Sequence, residues 1–163
     1  AFLEPPFDQA RQYAGDLVCE AVHFAGGRGV CLTANRGAFT TYSAVIFDQD
    51  FRRLFSVPLA GAPSRCRMSP DGRWAGVTAF RSGHSYTSAD FTTQTLILDA
   101  KTGQILFDLE NLVVSKDRSA FRAADFNFWG VTFTPDSRSF YCTLSSQRQH
   151  YLVKAEIATR AAV

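Results

Sequence analysis

An all-β fold of successive four-stranded antiparallel sheets is predicted by three observations. Met68-Ser69-Pro70-Asp71-Gly72-Arg73 is echoed by Phe133-Thr134-Pro135-Asp136-Ser137-Arg138, and Phe24-Ala25-Gly26-Gly27-Arg28 is a degraded upstream copy. Arg28, Arg73 and Arg138 fall just after the turn in each copy, and Thr33, Thr78 and Thr143 fall at one place in the apolar stretch that follows. Fifteen Phe, five Tyr and two Trp in 163 residues favour pleated sheet, where flat rings pack across strands. Repetition at roughly 45 to 65 residues marks units that cannot bury their own faces and must stack on neighbours.

The middle unit is the best formed. Cys66–Ser69 reads as a strand, and Pro70-Asp71-Gly72 as a turn in which Pro presets φ and Gly supplies a positive φ. Trp74–Phe80 is a second strand, Thr95–Asp99 a third, and Ala100–Gly103 turns into a fourth, Gln104–Leu109. Upstream, the strands are Ala21–Phe24, Gly29–Thr33, Ala44–Phe47 and Arg53–Val57, with Asp48–Arg52 at the third turn. Downstream, they are Val131–Thr134, Ser139–Leu144, Tyr151–Lys154 and a short Ala161–Val163. Phe7–Gly15 is the one stretch where a helix is expected.

Three such sheets in a row read as about three blades of a β-propeller. Roughly four to eight blades are needed to close such a ring, so the remaining blades are expected in a longer parent chain. The division is a lead-in from a preceding blade at 1–19, blades at 20–60 and 61–110, an interblade loop at 111–130, and a truncated blade at 131–163. The two end blades are expected to expose apolar strands such as Val45-Ile46-Phe47 or Tyr151-Leu152-Val153.

Pro70-Asp71-Gly72-Arg73, followed by strand, loop, strand and Asp99-Ala100-Lys101-Thr102-Gly103, resembles the WD40-like (PD40) repeat of the TolB family. Asp125-Phe126-Asn127-Phe128-Trp129-Gly130-Val131-Thr132-Phe133 resembles TolB-like proteins of actinomycetes. The resemblance covers about residues 20 to 163. It departs at Gly26-Gly27, where the motif has Pro-Asp, and at Arg160, where Gly is usual. It implies a propeller of typically six blades, a non-enzymatic binding role toward a protein or peptide, and an extracytoplasmic (periplasmic or secreted) location.

Composition narrows the classes. Net charge is +2 with the arginines scattered, so a nucleic-acid partner is not expected. No apolar run approaches the roughly 18 to 20 residues that cross a bilayer, so direct membrane insertion is not expected. The opening Ala-Phe-Leu-Glu-Pro-Pro has no signal-peptide pattern and no initiator Met, which reads as a piece of a longer chain. Cys19, Cys31, Cys66 and Cys142 show no metal spacing. Cys66 aligns with Val131 and Cys142 with Val77, the pattern of small packed thiols. Cys19 and Cys31 flank one hairpin, but symmetric pairing about Gly26-Gly27 puts them several residues out of register, so free thiols are expected there too.

Function is read from loop lengths. First-to-second and third-to-fourth turns are minimal and share one rim. The long segments Ala34–Thr41, Arg81–Thr93, Glu110–Gly130 and Ser145–His150 all fall on the other, where insertions often mark the binding side. That rim carries the candidate partner-binding residues Arg36, His84, Tyr86, Asp90, Asp125, Asn127, Trp129, Arg148 and His150. A packing reading competes with it: Phe126, Phe128 and Trp129 plug the gap between blades while Asp125 and Asn127 cap loop backbone.

No catalytic residue, cofactor or metal is expected. Gly83-His84-Ser85-Tyr86-Thr87 nearly matches a nucleophile elbow, but it lacks the last Gly and the following helix. Asp48 and Asp50 are followed by Phe51 and two arginines, which do not make a calcium loop. A propeller portion of a larger hydrolase, filtering substrates as in oligopeptidases, is the alternative function.

Overall fold

A computed structural model describes residues 16–82 and 91–163. Sheet one is β1 (Ala21–Ala25), β2 (Arg28–Arg36), β3 (Thr40–Asp48) and β4 (Arg53–Pro58). Sheet two is β5 (Ala62–Met68), β6 (Trp74–Ser82), β7 (Thr92–Asp99) and β8 (Ile105–Asp108). Both run in sequence order and are antiparallel throughout. The helix expected over Phe7–Gly15 lies outside the described residues.

Sheet three departs from four strands. Its core is β11 (Asn127–Phe133), β12 (Ser139–Ser146), β13 (Gln149–Glu156) and β14 (Ala161–Ala162). The stretch read as an interblade loop at 111–130 contains a hairpin, β9 (Val113–Lys116) and β10 (Ser119–Phe121). This hairpin joins the same sheet, with β9 pairing parallel to β14. Val114 is buried and Val113 exposed, the alternation of a strand with one covered face.

The repeated motif folds the same way twice. Ser69 Oγ donates to Asp71 Oδ1 and accepts from Trp74 N–H, while Asp71 Oδ1 also accepts from Arg73 N–H. Thr134 Oγ, Asp136 Oδ1, Ser139 N and Arg138 N repeat each bond. A short side chain bonding its own turn gives the backbone a local partner and fixes the turn. The degraded copy substitutes two residues of positive φ, Gly26 at 56° and Gly27 at 77°. These turns also touch one another. A Cβ on Gly26 would collide with the Asp71–Gly72 backbone, and Asp71 N–H donates to Ser137 Oγ across to sheet three.

Cores lie between sheets. Val30, Leu32, Ala44 and Ile46 of sheet one pack with Met68, Val77, Leu96 and Leu98 of sheet two. Ile97 and Phe107 pack with Phe128, Phe140, Cys142, Leu144 and Val153 of sheet three. The outer face of sheet one does not expose Val45, Ile46 and Phe47 as expected, since all three are buried. Ile46 belongs to the inter-sheet core, and Leu17 and Cys19 of the lead-in lie over Cys31, Val45 and Phe47. At the other end Val153 is buried, whereas Leu152 is 75% exposed as expected.

That covering is covalent, and it corrects the free-thiol expectation: Cys19 is disulfide-bonded to Cys31 at a Cα separation of 5.3 Å. The hairpin register is the one expected, with Val22 opposite Cys31. The chain leaves that register at Glu20, where it bends and donates its N–H to Leu32 O. Cys19 is thereby folded back over the sheet face instead of continuing the strand. Cys66 and Cys142 are free thiols, and burial raises them to about 11 and about 12, with Arg67 opposing the shift at Cys66.

Candidate functional site

The rim opposite the repeated turns is built where β6, β7, β11, β12 and β13 end. Two segments expected to be long there are short. The β2–β3 connection is Gly37–Phe39, and the β12–β13 connection is only Gln147-Arg148. Gln147 and Arg148 both hold positive φ, 52° and 60°, which closes a two-residue hairpin without glycine. The insertions that remain are the segment after β6 and the segment between β8 and β11.

Their described parts meet. Phe91 lies 5.5 Å from Trp129 edge to face, and Trp129 lies 5.5 Å from His150, also edge to face. This row of rings crosses from sheet two to sheet three. Phe80 supports it from below at 6.2 Å. Trp129 is half-buried and His150 exposed, so the row offers ring surface to solvent. Nearby, Arg81 bonds Glu110 at 3.2 Å beside a cleft of about 280 Å³ lined also by Asp125, Phe126 and Asn127. Burial, reinforced by Asp108 and opposed by Arg81, raises the Glu110 carboxyl above its usual range.

Beneath the rings runs a buried polar seam. Thr95 Oγ donates to Phe128 O, which leaves Thr78 as the donor in the 3.0 Å Thr78–Thr95 hydroxyl pair. Thr93 N–H donates to Asn127 Oδ1 at 2.9 Å and Thr93 Oγ to Phe128 O at 2.9 Å. Phe128 itself is fully buried. Asp125 accepts from Ser146 Oγ and Gln147 N–H, each at 2.6 Å. These bonds, the Ser146 hydroxyl first, hold its carboxyl below the usual range. Asn127 and Asp125 therefore act as the backbone and turn caps of the packing reading, and Phe128 as the plug. Trp129 is half-buried and packs between Phe91 of sheet two and His150 of sheet three.

Of the remaining candidates, His84, Tyr86 and Asp90 lie outside the described residues, as does the near-elbow Gly83–Thr87. Arg36 sits apart on sheet one, bonded to Glu20 at 2.7 Å. Arg148 is exposed at the β12–β13 turn. Among the described residues no group of three or more His, Cys, Asp or Glu is placed to hold a metal. The sequence reading missed Phe91, whose only signal was an aromatic just before β7.

The first strands of the three sheets, β1, β5 and β11, lie side by side, and successive strands step outward from them. The β-propeller domain of the trilobed protease from Pyrococcus furiosus has this arrangement: it superposes on 86% of the chain with a TM-score of 0.54 at 11% identity. The fold is a β-propeller. The tricorn protease superposes on 90% of the chain with a TM-score of 0.51 at 10% identity. The chain spans 39% and 14% of the lengths of these two proteins. No known family pattern and no curated protein matches the sequence. In propeller terms each sheet is a blade, β1, β5 and β11 line the channel side, and the aromatic row sits on the rim that bears the long connections.

Proposed function

We propose that this chain belongs to a TolB-like, non-catalytic propeller that holds a protein or peptide partner on its long-connection rim. The observation that carries the reading is the Phe91–Trp129–His150 row, which bridges two blades and is partly open to solvent. Trp and Tyr dominate binding hot spots because they bury large area with few rotatable bonds. The test is fluorescence polarisation of a labelled peptide panel against the parent protein, with Trp129→Ala and His150→Ala compared. Loss of binding in both variants with unchanged circular dichroism supports the reading; binding indifferent to both removes it.

A second reading is favoured by the comparison itself, since both similar structures are a protease or its propeller domain. Here the chain is the substrate-filtering propeller of a larger hydrolase. A fluorophosphonate probe that labels a serine of the parent protein would establish this reading; no labelling leaves the binding propeller.

We further propose an extracytoplasmic location, which the Cys19–Cys31 bridge supports because such bonds persist in oxidising compartments. Maleimide labelling of freshly lysed cells should find these two thiols blocked. Their capture as free thiols would argue for a reducing compartment.

A further inference from the structure

On the rim of the repeated turns, the junction between blades two and three is not packed like the junction between blades one and two. The turns between third and fourth strands correspond bond for bond. Gly103 N–H donates to Asp99 O at 2.8 Å, and Arg160 N–H donates to Glu156 O at 2.9 Å. Ala100 N–H reaches back to Arg73 O as Ile157 N–H does to Arg138 O. Gly103 and Arg160 are therefore one position of the repeat, and both hold positive φ, 73° and 56°. Such a backbone suits glycine and strains other residues.

At the first junction the glycine is used for packing. A Cβ on Gly103 would stand 2.6 Å from the Phe55 ring, so Phe55 of blade one comes down onto the turn of blade two. Phe107 holds the same place in blade two, paired with Ile97 as Phe55 is with Ile46. The turn it meets carries Arg160, whose guanidinium lies 5.6 Å over the Phe107 ring. Ring-on-turn packing is thus replaced by ring-on-guanidinium packing.

Beside this contact is a cleft of about 700 Å³ between blades two and three. Its floor is apolar: Trp74 and Leu106, half-buried on blade two, and Ile157, buried on blade three. Flat cationic groups stand around that floor. The Arg73 guanidinium lies 4.5 Å from the Trp74 ring centroid and is tied to Asp99 at 3.6 Å, and Arg138 and Arg160 line the cleft from blade three. Carboxylates balance them. Asp71 Oδ1 and Asp136 Oδ1 hold their own turns, and Glu156 Oε2 accepts from Thr159 Oγ at 3.1 Å. These three offset the three arginines of the described lining, so the cleft does not select a charged ligand. An indole ring and guanidinium planes recognise the face of a neutral aromatic ring, by stacking and cation–π attraction.

We propose that this cleft binds a neutral planar aromatic group, held between Trp74 of blade two and Arg160 of blade three. The volume lies in the range that takes small ligands, roughly 300–1,000 Å³. The source of the ring is a free aromatic molecule or a Trp or Tyr side chain of a peptide. This use accounts for the strained backbone at Arg160, because glycine would relieve the strain and remove the group that meets the ring. The cleft lies on the rim opposite the Phe91–Trp129–His150 row, so it stands or falls separately from the reading of that row.

The chain has two tryptophans, Trp74 and Trp129, so fluorine NMR of the intact protein labelled with fluorotryptophan tests this with one signal on each rim. Trp129→Phe assigns the signals. The probes are indole, acetyl-Gly-Trp-Gly amide, and cyclohexylmethanol as a non-aromatic molecule of similar bulk. An aromatic probe is expected to shift the Trp74 signal saturably, and cyclohexylmethanol is expected to leave it in place. Whichever aromatic probe acts names the source, while the Trp129 signal reports the other rim independently.

Arg160→Gly should fold, because the backbone there suits glycine, and should weaken the acting probe about three- to thirty-fold, with Arg160→Lys intermediate. A Trp74 signal unmoved by either aromatic probe, an equal response to cyclohexylmethanol, or unchanged affinity in Arg160→Gly overturns the proposal. Movement of the Trp129 signal alone also overturns it, and leaves the rim reading standing.

Discussion

Breaking the Cys19–Cys31 bridge is the most informative perturbation of this fold. The bonded residues are 12 positions apart, and closing a loop of that length removes about 3 kcal/mol of chain entropy from the unfolded state. The bridge also holds Leu17 and Cys19 over Cys31, Val45 and Phe47. Arg53 Nη2 donates to Asp16 O at 2.9 Å at the far end of the same segment, but that bond is exposed and adds little. With urea slopes of about 1–3 kcal/mol per M, Cys19→Ser should lower the unfolding midpoint by roughly 1–3 M. Cys19 is the residue to change, because Cys31 is fully buried and its replacement would also disturb packing. The control is internal: a thiol reductant should reproduce the loss in the wild-type protein and do nothing to the variant. A wild-type midpoint unmoved by reductant would refute the reasoning.

Thr95→Val keeps the shape but strips the hydroxyl that joins Thr78 to Phe128 O; a cost of about 1–3 kcal/mol is expected in chemical denaturation. Gly26→Ala should lose roughly 1–3 kcal/mol from its positive φ and more from collision with the Asp71–Gly72 backbone, whereas Gly27→Ala, with nothing near it, should show the conformational loss alone. Desolvation, then Arg67, hold His23 below 6.5. The unfolded chain therefore takes up that proton first, and the melting temperature should fall as pH drops from 6.5 through the native value; His23→Gln should flatten that limb. Asp125, held low by Ser146 and Gln147, adds a further decline as pH falls below about 3.8, which Ser146→Ala should reduce.

Much of this fold was readable because its turns are chemically explicit. Pro70-Asp71-Gly72 and Pro135-Asp136-Ser137 carry their own hydrogen-bond partners, so a local pattern settles a local structure. Gln147-Arg148 carries none, and its left-handed backbone is imposed by β12 and β13 on either side. The bend at Glu20 was invisible for a related reason: the sequence states the hairpin register, and nothing in it states that the strand stops there. The β9 pairing was beyond reach, because its partner β14 lies almost fifty residues further along the chain and pairs with it in parallel, with no local turn between them to announce it. At the rim, Trp129 and Asn127 were found as residue types, but their roles were separable only by burial. Asn127 turns inward to Thr93 while Trp129 meets Phe91 and His150. Trp74 was read as the start of a strand and Arg160 as a departure from the repeat, since only the stacking of blades two and three brings them to one cleft.

The parallel pairing of β9 with β14 has a consequence for synthesis on the ribosome. Blades one and two each close with strands consecutive in the chain, so each can form as it emerges. Val113 must instead wait for Ala161, roughly fifty residues later. During that interval the β9–β10 hairpin is a nascent ribbon with a bare margin. A pause in translation between those two residues would lengthen the time that margin stays uncovered.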